Sequence, residues 1–299
     1  MVLLAVLALP GVGFLVGLGD VQGQPRTPPG RPPARPPARP PARPPVRQPA
    51  RPVAQGPAQP VVPFGPQGCP DNMVRVEGDY CTNADQRCLR WLDEDTQMRC
   101  AEFAPPRCSG ARRRMAYCMD RYEFPNQPGA YPQVMVSWYE AQRACQAQGR
   151  RLCTQAEWTF ACEGPEMRPY PYGDGLHRDA TACRIDHQTI RPDRARLGNP
   201  STSADESARL YEAVPSGSMP ACVSWAGVHD MTGNADEWTV NVSGVPYNSA
   251  LKGGWWGHIR ARCRPSTIAH NEGFVYYQIG FRCCQDLGPV TAATTPPRS

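Results

Sequence analysis

Fourteen cysteines, all lying between Cys69 and Cys284, constrain this chain more than any other feature. An even number at that density points to disulfide cross-links and therefore to an oxidising compartment. Buried free thiols and a zinc site are the alternatives. No two cysteines have the C-x2-C spacing of a zinc knuckle. Around the cysteines, short apolar runs such as residues 134–136 and 278–282 are broken by Gly, Pro, Asn and Asp. That pattern predicts short strands joined by long loops. Two helices stand out. Residues 137–149 open with Ser137 and Glu140, and residues 154–164 open with Thr154 and Glu157. Each pair has the spacing of a capping box, with Gly149 or Gly164 at the far end. Residues 150–153 read as a short connector between them. The expected class is a disulfide-rich α+β domain with little regular secondary structure, over residues 69–287.

The flanks read differently. Residues 1–24 are apolar and uncharged up to Asp20, with Val21 and Gly23 as small residues before a cleavage at Gln24. This reads as an export signal, or as an uncleaved membrane anchor, because the run is long and lacks a basic start. Residues 25–66 hold 17 of the 36 prolines and no acid. Their Arg-Pro-Pro-Ala repeat favours extended polyproline II, a semi-rigid stalk over residues 25–68 or a basic ligand for cell wall or anionic lipid. Residues 288–299 read as a disordered tail. The net charge of +5 comes largely from spacer arginines, so the remaining chain is near neutral and offers no basic face for nucleic acid. Export would place the domain outside the cell or in the periplasm or envelope, tethered if the N-terminus anchors it.

Eight stretches then resemble, in order, the motifs of formylglycine-generating (sulfatase-modifying factor) enzymes. Residues 73–80 are similar to the opening MV-x-I-P-G-G-x-F, and residues 117–126 to F-x-I-D-x-Y-E-V-T-N. Residues 134–141 match P-V-x-x-V-S-W-x-x-A, and residues 149–161 match G-x-R-L-P-T-E-A-E-W-E-x-A with Cys153 in place of proline. Residues 170–173 match Y-P-W-G, residues 227–238 match G-L-x-D-M-x-G-N-x-x-E-W, residues 252–256 match R-G-G-S-W, and residues 280–282 are the closing G-F-R. The resemblance spans about residues 72–284. It implies a compact α+β fold related to C-type lectins. Residues 81–114, with Cys81, Cys88, Cys100 and Cys108, depart from the family and read as a disulfide-stapled insertion.

The family's enzymes oxidise a sulfatase cysteine to formylglycine with oxygen and copper, the metal held by two soft thiolates. Counting forward from Gly253 and Gly254, His258 stands at the first copper-cysteine position and Cys263 at the second. Counting backward from residues 280–282, Cys263 instead matches a structural cysteine paired with one on the second helix, here Cys162. The resemblance likewise implies a Cys145–Cys283 bridge. Each bridge closes a loop of about a hundred residues or more, worth about 4–5 kcal/mol in the chain-entropy model. Neither count leaves a two-thiolate site. His258 and Cys263 remain the catalytic candidates for a copper or iron site. The resemblance also implies a structural calcium at Asp230, Gly233, Ala235 and Glu237, with Asp236 beside them. Trp255, Trp256, Tyr276 and Tyr277 form a candidate ligand groove, or else core packing. Two functions follow. One is an exported binding or structural module without the parent activity, its partner an exported protein or small molecule. The other is a divergent metal-dependent oxidase acting on an exported protein or small thiol.

Overall fold

The computed structural model describes residues 68–288. The leader, the spacer and the tail inferred from sequence lie outside the described residues, apart from Gly68 and Gly288 at their edges. In chain order the strands and helices are β1 (Met73–Cys81), β2 (Ala84–Asp85), β3 (Cys88–Trp91), β4 (Cys100–Phe103), β5 (Arg107–Cys108) and β6 (Arg112–Asp120), then α1 (Trp138–Gln146), β7 (Arg151–Leu152), α2 (Gln155–Glu163), α3 (Arg194–Leu197) and α4 (Ser203–Leu210), and last β8 (Asp236–Val240), β9 (Ser249–Lys252), β10 (Ser266–Thr267), β11 (Ile279–Phe281) and β12 (Cys283–Asp286).

Two four-stranded sheets organise the domain. The first has the order β1-β6-β12-β7, and every pairing in it is antiparallel. β1 and β6 pair over their full lengths, from Met73 opposite Asp120 to Cys81 opposite Arg112. The residues between these two strands form two small ladders, β2 with β5 and β3 with β4. The second sheet has the order β10-β9-β8-β11, with β11 parallel to β8. Side chains alternate faces along a strand, and directly paired residues share a face. Asp236, Trp238, Leu251, Ile279 and Phe281 therefore lie on one face of this sheet. The last four build a core cluster with Val136, Trp138 and Leu152.

Both helices begin where their sequence places them. Ser137 accepts from the Glu140 N–H, and the Glu140 carboxylate accepts from the Ser137 N–H at 2.8 Å. Thr154 and Glu157 repeat the arrangement, with 2.8 Å for the returning bond. These reciprocal bonds satisfy two otherwise orphaned backbone donors at each start. α1 is amphipathic and buries Trp138, Ala141 and Cys145, while α2 is buried from Glu157 through Glu163. Gly164 ends α2 at φ +70°, and a Cβ there would meet the Trp225 ring at 2.8 Å. Glycine alone fits both demands.

Two expectations needed correction. Residues 134–136 form no strand, because Met135 sits at φ +60°, a conformation that breaks any ladder. The connector at residues 150–153 holds β7, which closes the first sheet against β12.

All fourteen cysteines are bridged. Cys145–Cys283 ties α1 to β12, Cys153–Cys284 ties the start of α2 to β12, and Cys162–Cys263 ties α2 to the segment before β10. Cys69–Cys118 fastens the entry of the domain to β6, and Cys183–Cys222 joins two loops. Cys81–Cys108 and Cys88–Cys100 close within the insertion.

Candidate functional site

The segment from Lys252 to Cys263 leaves β9 through two glycines in the left-handed region, Gly253 at φ +91° and Gly254 at φ +76°. Cys263 ends it fully buried and bonded to Cys162. A sulfur shared in a disulfide offers no thiolate. His258 is exposed, and its Nε2 lies 3.0 Å from the Asp186 carbonyl oxygen. Copper(I) favours soft thiolate ligands, so the donor set at these positions does not fit it. Among the described residues no three or more His, Cys, Asp or Glu side chains are grouped to hold a metal ion.

The turn before β8 is built from buried acids. Gly233 is required at φ +79°, since a Cβ would meet the Arg184 carbonyl at 2.2 Å. Glu123 reaches the turn from the loop after β6. Its carboxylate accepts from Ser216 Oγ and Asn234 Nδ2, both at 2.7 Å, and from the Ala235 N–H at 3.1 Å. Burial, then the Asp230 charge, pushes its carboxyl well up from the usual range. Asp230 accepts from the Gly217 N–H at 2.7 Å, and burial raises it to about 6. Glu237 is fully buried and pairs bidentately with Arg282 at 2.6 and 2.7 Å, also accepting from Trp158 Nε1 at 2.7 Å. Both Glu237 oxygens are thus committed to protein donors, so this side chain, as it stands, does not fit as a calcium ligand. Asp230, Gly233 and Ala235 lie on the same turn.

The candidate aromatic groove divides. Trp256 and Tyr277 are buried, packing with Leu210 and Ala213 in a satellite cluster, and Trp255 is half-buried against them. Tyr276 is half-buried and packs against the same cluster, its ring centroid 4.6 Å from that of Tyr277. It lines a cavity of about 440 Å³ together with Asp236, Leu251, Ile259, His270, Phe274, Gln278 and Ile279, with Arg194, Leu197 and Thr267 completing the wall. The parallel pairing of β8 and β11 creates this juxtaposition, since the Asp236 N–H donates to the Gln278 carbonyl at 2.9 Å. Asp236 is 7% exposed and accepts from the Gly254 N–H at 2.9 Å through Oδ1. Burial pushes its carboxyl up to about 7, while the Gly254 bond and the Arg260 charge act the other way. Gln278 Oε1 is buried without a hydrogen-bond partner.

Sequence reasoning named Tyr276 and passed over Glu123, His270, Gln278 and the role of Asp236. One signal was available for Asp236. In the run Asp236–Val240, alternation places it on the same face as Trp238, where an apolar residue belongs. There it accepts from the Gly254 N–H and also opens on the cavity, and a polar residue at such a position is a place to look for function.

With this geometry in view, the comparisons with known proteins decide the family. The model of the sulfatase-modifying factor enzyme 1-like domain matches residues 90–287. The chain belongs to the sulfatase-modifying factor family. It is 27% identical over 173 residues to the inactive C-alpha-formylglycine-generating enzyme 2 of Bos taurus, covering 53% of this chain and 51% of that protein. It is 27% identical over 188 residues to the formylglycine-generating enzyme of Bos taurus, covering 54% and 46%. The chain therefore spans about half the length of the relatives it matches. The crystal structure of CarF superposes with a TM-score of 0.45 at 16% identity, covering 76% of this chain and 99% of CarF. The α+β, disulfide-rich architecture described above is this chain's version of the sulfatase-modifying factor fold.

Proposed function

We propose that this sulfatase-modifying factor domain does not carry out the parent formylglycine-forming oxidation and works as a binding module in an oxidising, exported setting. One observation carries the reading: Cys263, the sole cysteine after the double glycine and before residues 280–282, is bonded to Cys162. The oxidation rests on thiolate-held copper, and the position has no thiolate to give. A relative of similar sequence that is itself named inactive supports the same reading. Seven disulfides favour an oxidising compartment, and the proline-rich spacer would hold the domain away from a surface. The cavity over β8 and β11 is the binding site this reading assigns.

The test is disulfide mapping of the non-reduced full chain by mass spectrometry, with free thiols alkylated first, beside an aldehyde assay on a sulfatase-type cysteine peptide. The expected result is a Cys162–Cys263 linked peptide, no alkylated cysteine and no aldehyde. Alkylated Cys263 together with aldehyde formation would restore the oxidase reading.

A further inference from the structure

The cavity over the second sheet has a floor and wall whose chemistry selects a ligand class. The floor carries Asp236, whose Oδ2 makes no hydrogen bond or ion pair with any described residue, and beside it the unpartnered Gln278 Oε1. Both are acceptors without donors. Arg260, whose charge acts on Asp236, bonds to the Ser266 carbonyl and Thr267 Oγ1, at 3.2 and 2.6 Å. A buried amide oxygen left this way is costly unless a donor arrives from outside, and Asp236, which keeps a little exposure, offers its second oxygen beside it. The wall is a row of stacked rings. His270 lies flat on Phe274 at 4.0 Å and 9°, and Phe274 on Tyr276 at 5.7 Å and 21°. Burial lowers the His270 pKa, so this ring is neutral at physiological pH and adds no competing positive charge. Stacking commits ring faces to one another, so the row serves as an apolar wall for the body of a ligand. Leu251 and Ile279 supply an apolar remainder. Arg194 on the lining is exposed, and Arg260 lines the adjoining pocket that shares Asp236 and Thr267.

We infer that this cavity binds a small organic monocation, a primary ammonium or guanidinium on an aromatic or apolar body, with its N–H donors on Asp236 and Gln278 and its body against the His270–Phe274–Tyr276 stack. Arg194 disfavours a second positive charge at the other end of the ligand. The inference rests on reading the domain as a binding module and names what it binds.

Calorimetric titration of the full chain at pH 8 and low salt tests it, with phenethylammonium as the probe and 2-phenylethanol as its neutral isostere. The ammonium should bind at least tenfold more tightly than the alcohol. Asp236→Asn, which keeps an oxygen for the Gly254 N–H, should weaken the ammonium at least tenfold and leave the alcohol unchanged. If that variant does not fold, as judged by melting, Gln278→Met is read instead and should weaken the ammonium at least threefold while leaving the alcohol unchanged. Cadaverine, a dication, should bind more weakly than phenethylammonium. A blocked lysine amide distinguishes a peptide side chain from a free amine as the source, and binding of either supports the inference. Equal binding of ammonium and alcohol, no binding of either, or a folded Asp236→Asn protein with undiminished ammonium affinity overturns it. Cysteine mapping of the same sample keeps the two readings apart. A free Cys263 would end the inactive-module reading while leaving the ammonium result to stand or fall by itself.

Discussion

At the scale of single residues, Arg282 and Glu237 form an ion pair deep in the core. Both are fully buried and joined by two short bonds, and Arg282 also donates to the His229 carbonyl at 3.0 Å. Removing one partner strands a charge in a low-dielectric interior. Arg282→Leu should therefore cost about 3–5 kcal/mol in denaturant unfolding with the disulfides intact, and adding Glu237→Leu should recover much of that loss. The same pairing bears on calcium. With Glu237 held by Arg282, exchanging EDTA for millimolar calcium should move Tm by less than about 1 °C, since only an ion bound to the folded state shifts it. A clear rise with calcium would place an ion, rather than the guanidinium, against Glu237. A third residue reports through pH. Burial raises the Glu163 carboxyl to about 7 from an ordinary 4.5, with the Arg264 guanidinium, 2.6 Å away, opposing the shift. The folded state then binds that proton more tightly than the unfolded chain. The stability it contributes is complete below about pH 4.5 and is lost as pH rises through 7. Glu163→Gln should accordingly lose less stability than the parent between pH 5 and 7.5, measured as the difference in unfolding free energy at the two pH values.

Among the elements, the helix starts are where local sequence and structure agree most closely. Ser137 with Glu140 and Thr154 with Glu157 need only their own four residues to form the reciprocal bonds seen. Ser137→Ala and Thr154→Ala should each cost about 1 kcal/mol, and the double variant close to the sum if the two caps act independently. Strands were less legible because their partners are remote. β7 is two residues long and exists through pairing with β12, more than a hundred residues away. Residues 134–136 have strand-like composition, yet Met135 adopts φ +60° and Val136 packs into the core from a loop. The run Asp236–Val240 is an intermediate case. Its alternation was present in sequence, and the misfit of Asp236 on the apolar face was the readable sign of the cavity.

Over the whole molecule, stability is distributed among cross-links of very different reach. Cys145–Cys283 spans 138 residues and Cys88–Cys100 spans 12. In the chain-entropy model the first is worth about 5 kcal/mol and the second about 3 kcal/mol. Replacing both cysteines of each bridge by alanine should therefore lower unfolding stability more for the long bridge, and replacing the insertion's bridge should leave the cavity's ligand response intact. Equal losses from the two would point to enthalpic rather than loop-closure control. What the sequence by itself determined is what depends on short stretches and on order along the chain: the bridged, oxidised class, the two capped helices and the family, whose motifs occur in sequence order. The tertiary structure alone decided what depends on residues far apart in the chain. It paired the ten cysteines that the family resemblance left open, set Arg282 against Glu237, and buried Trp256 and Tyr277. It also brought Gln278 beside Asp236 by laying β11 along β8, a parallel contact that no local pattern encodes because its free energy comes from burial shared across forty residues of intervening chain.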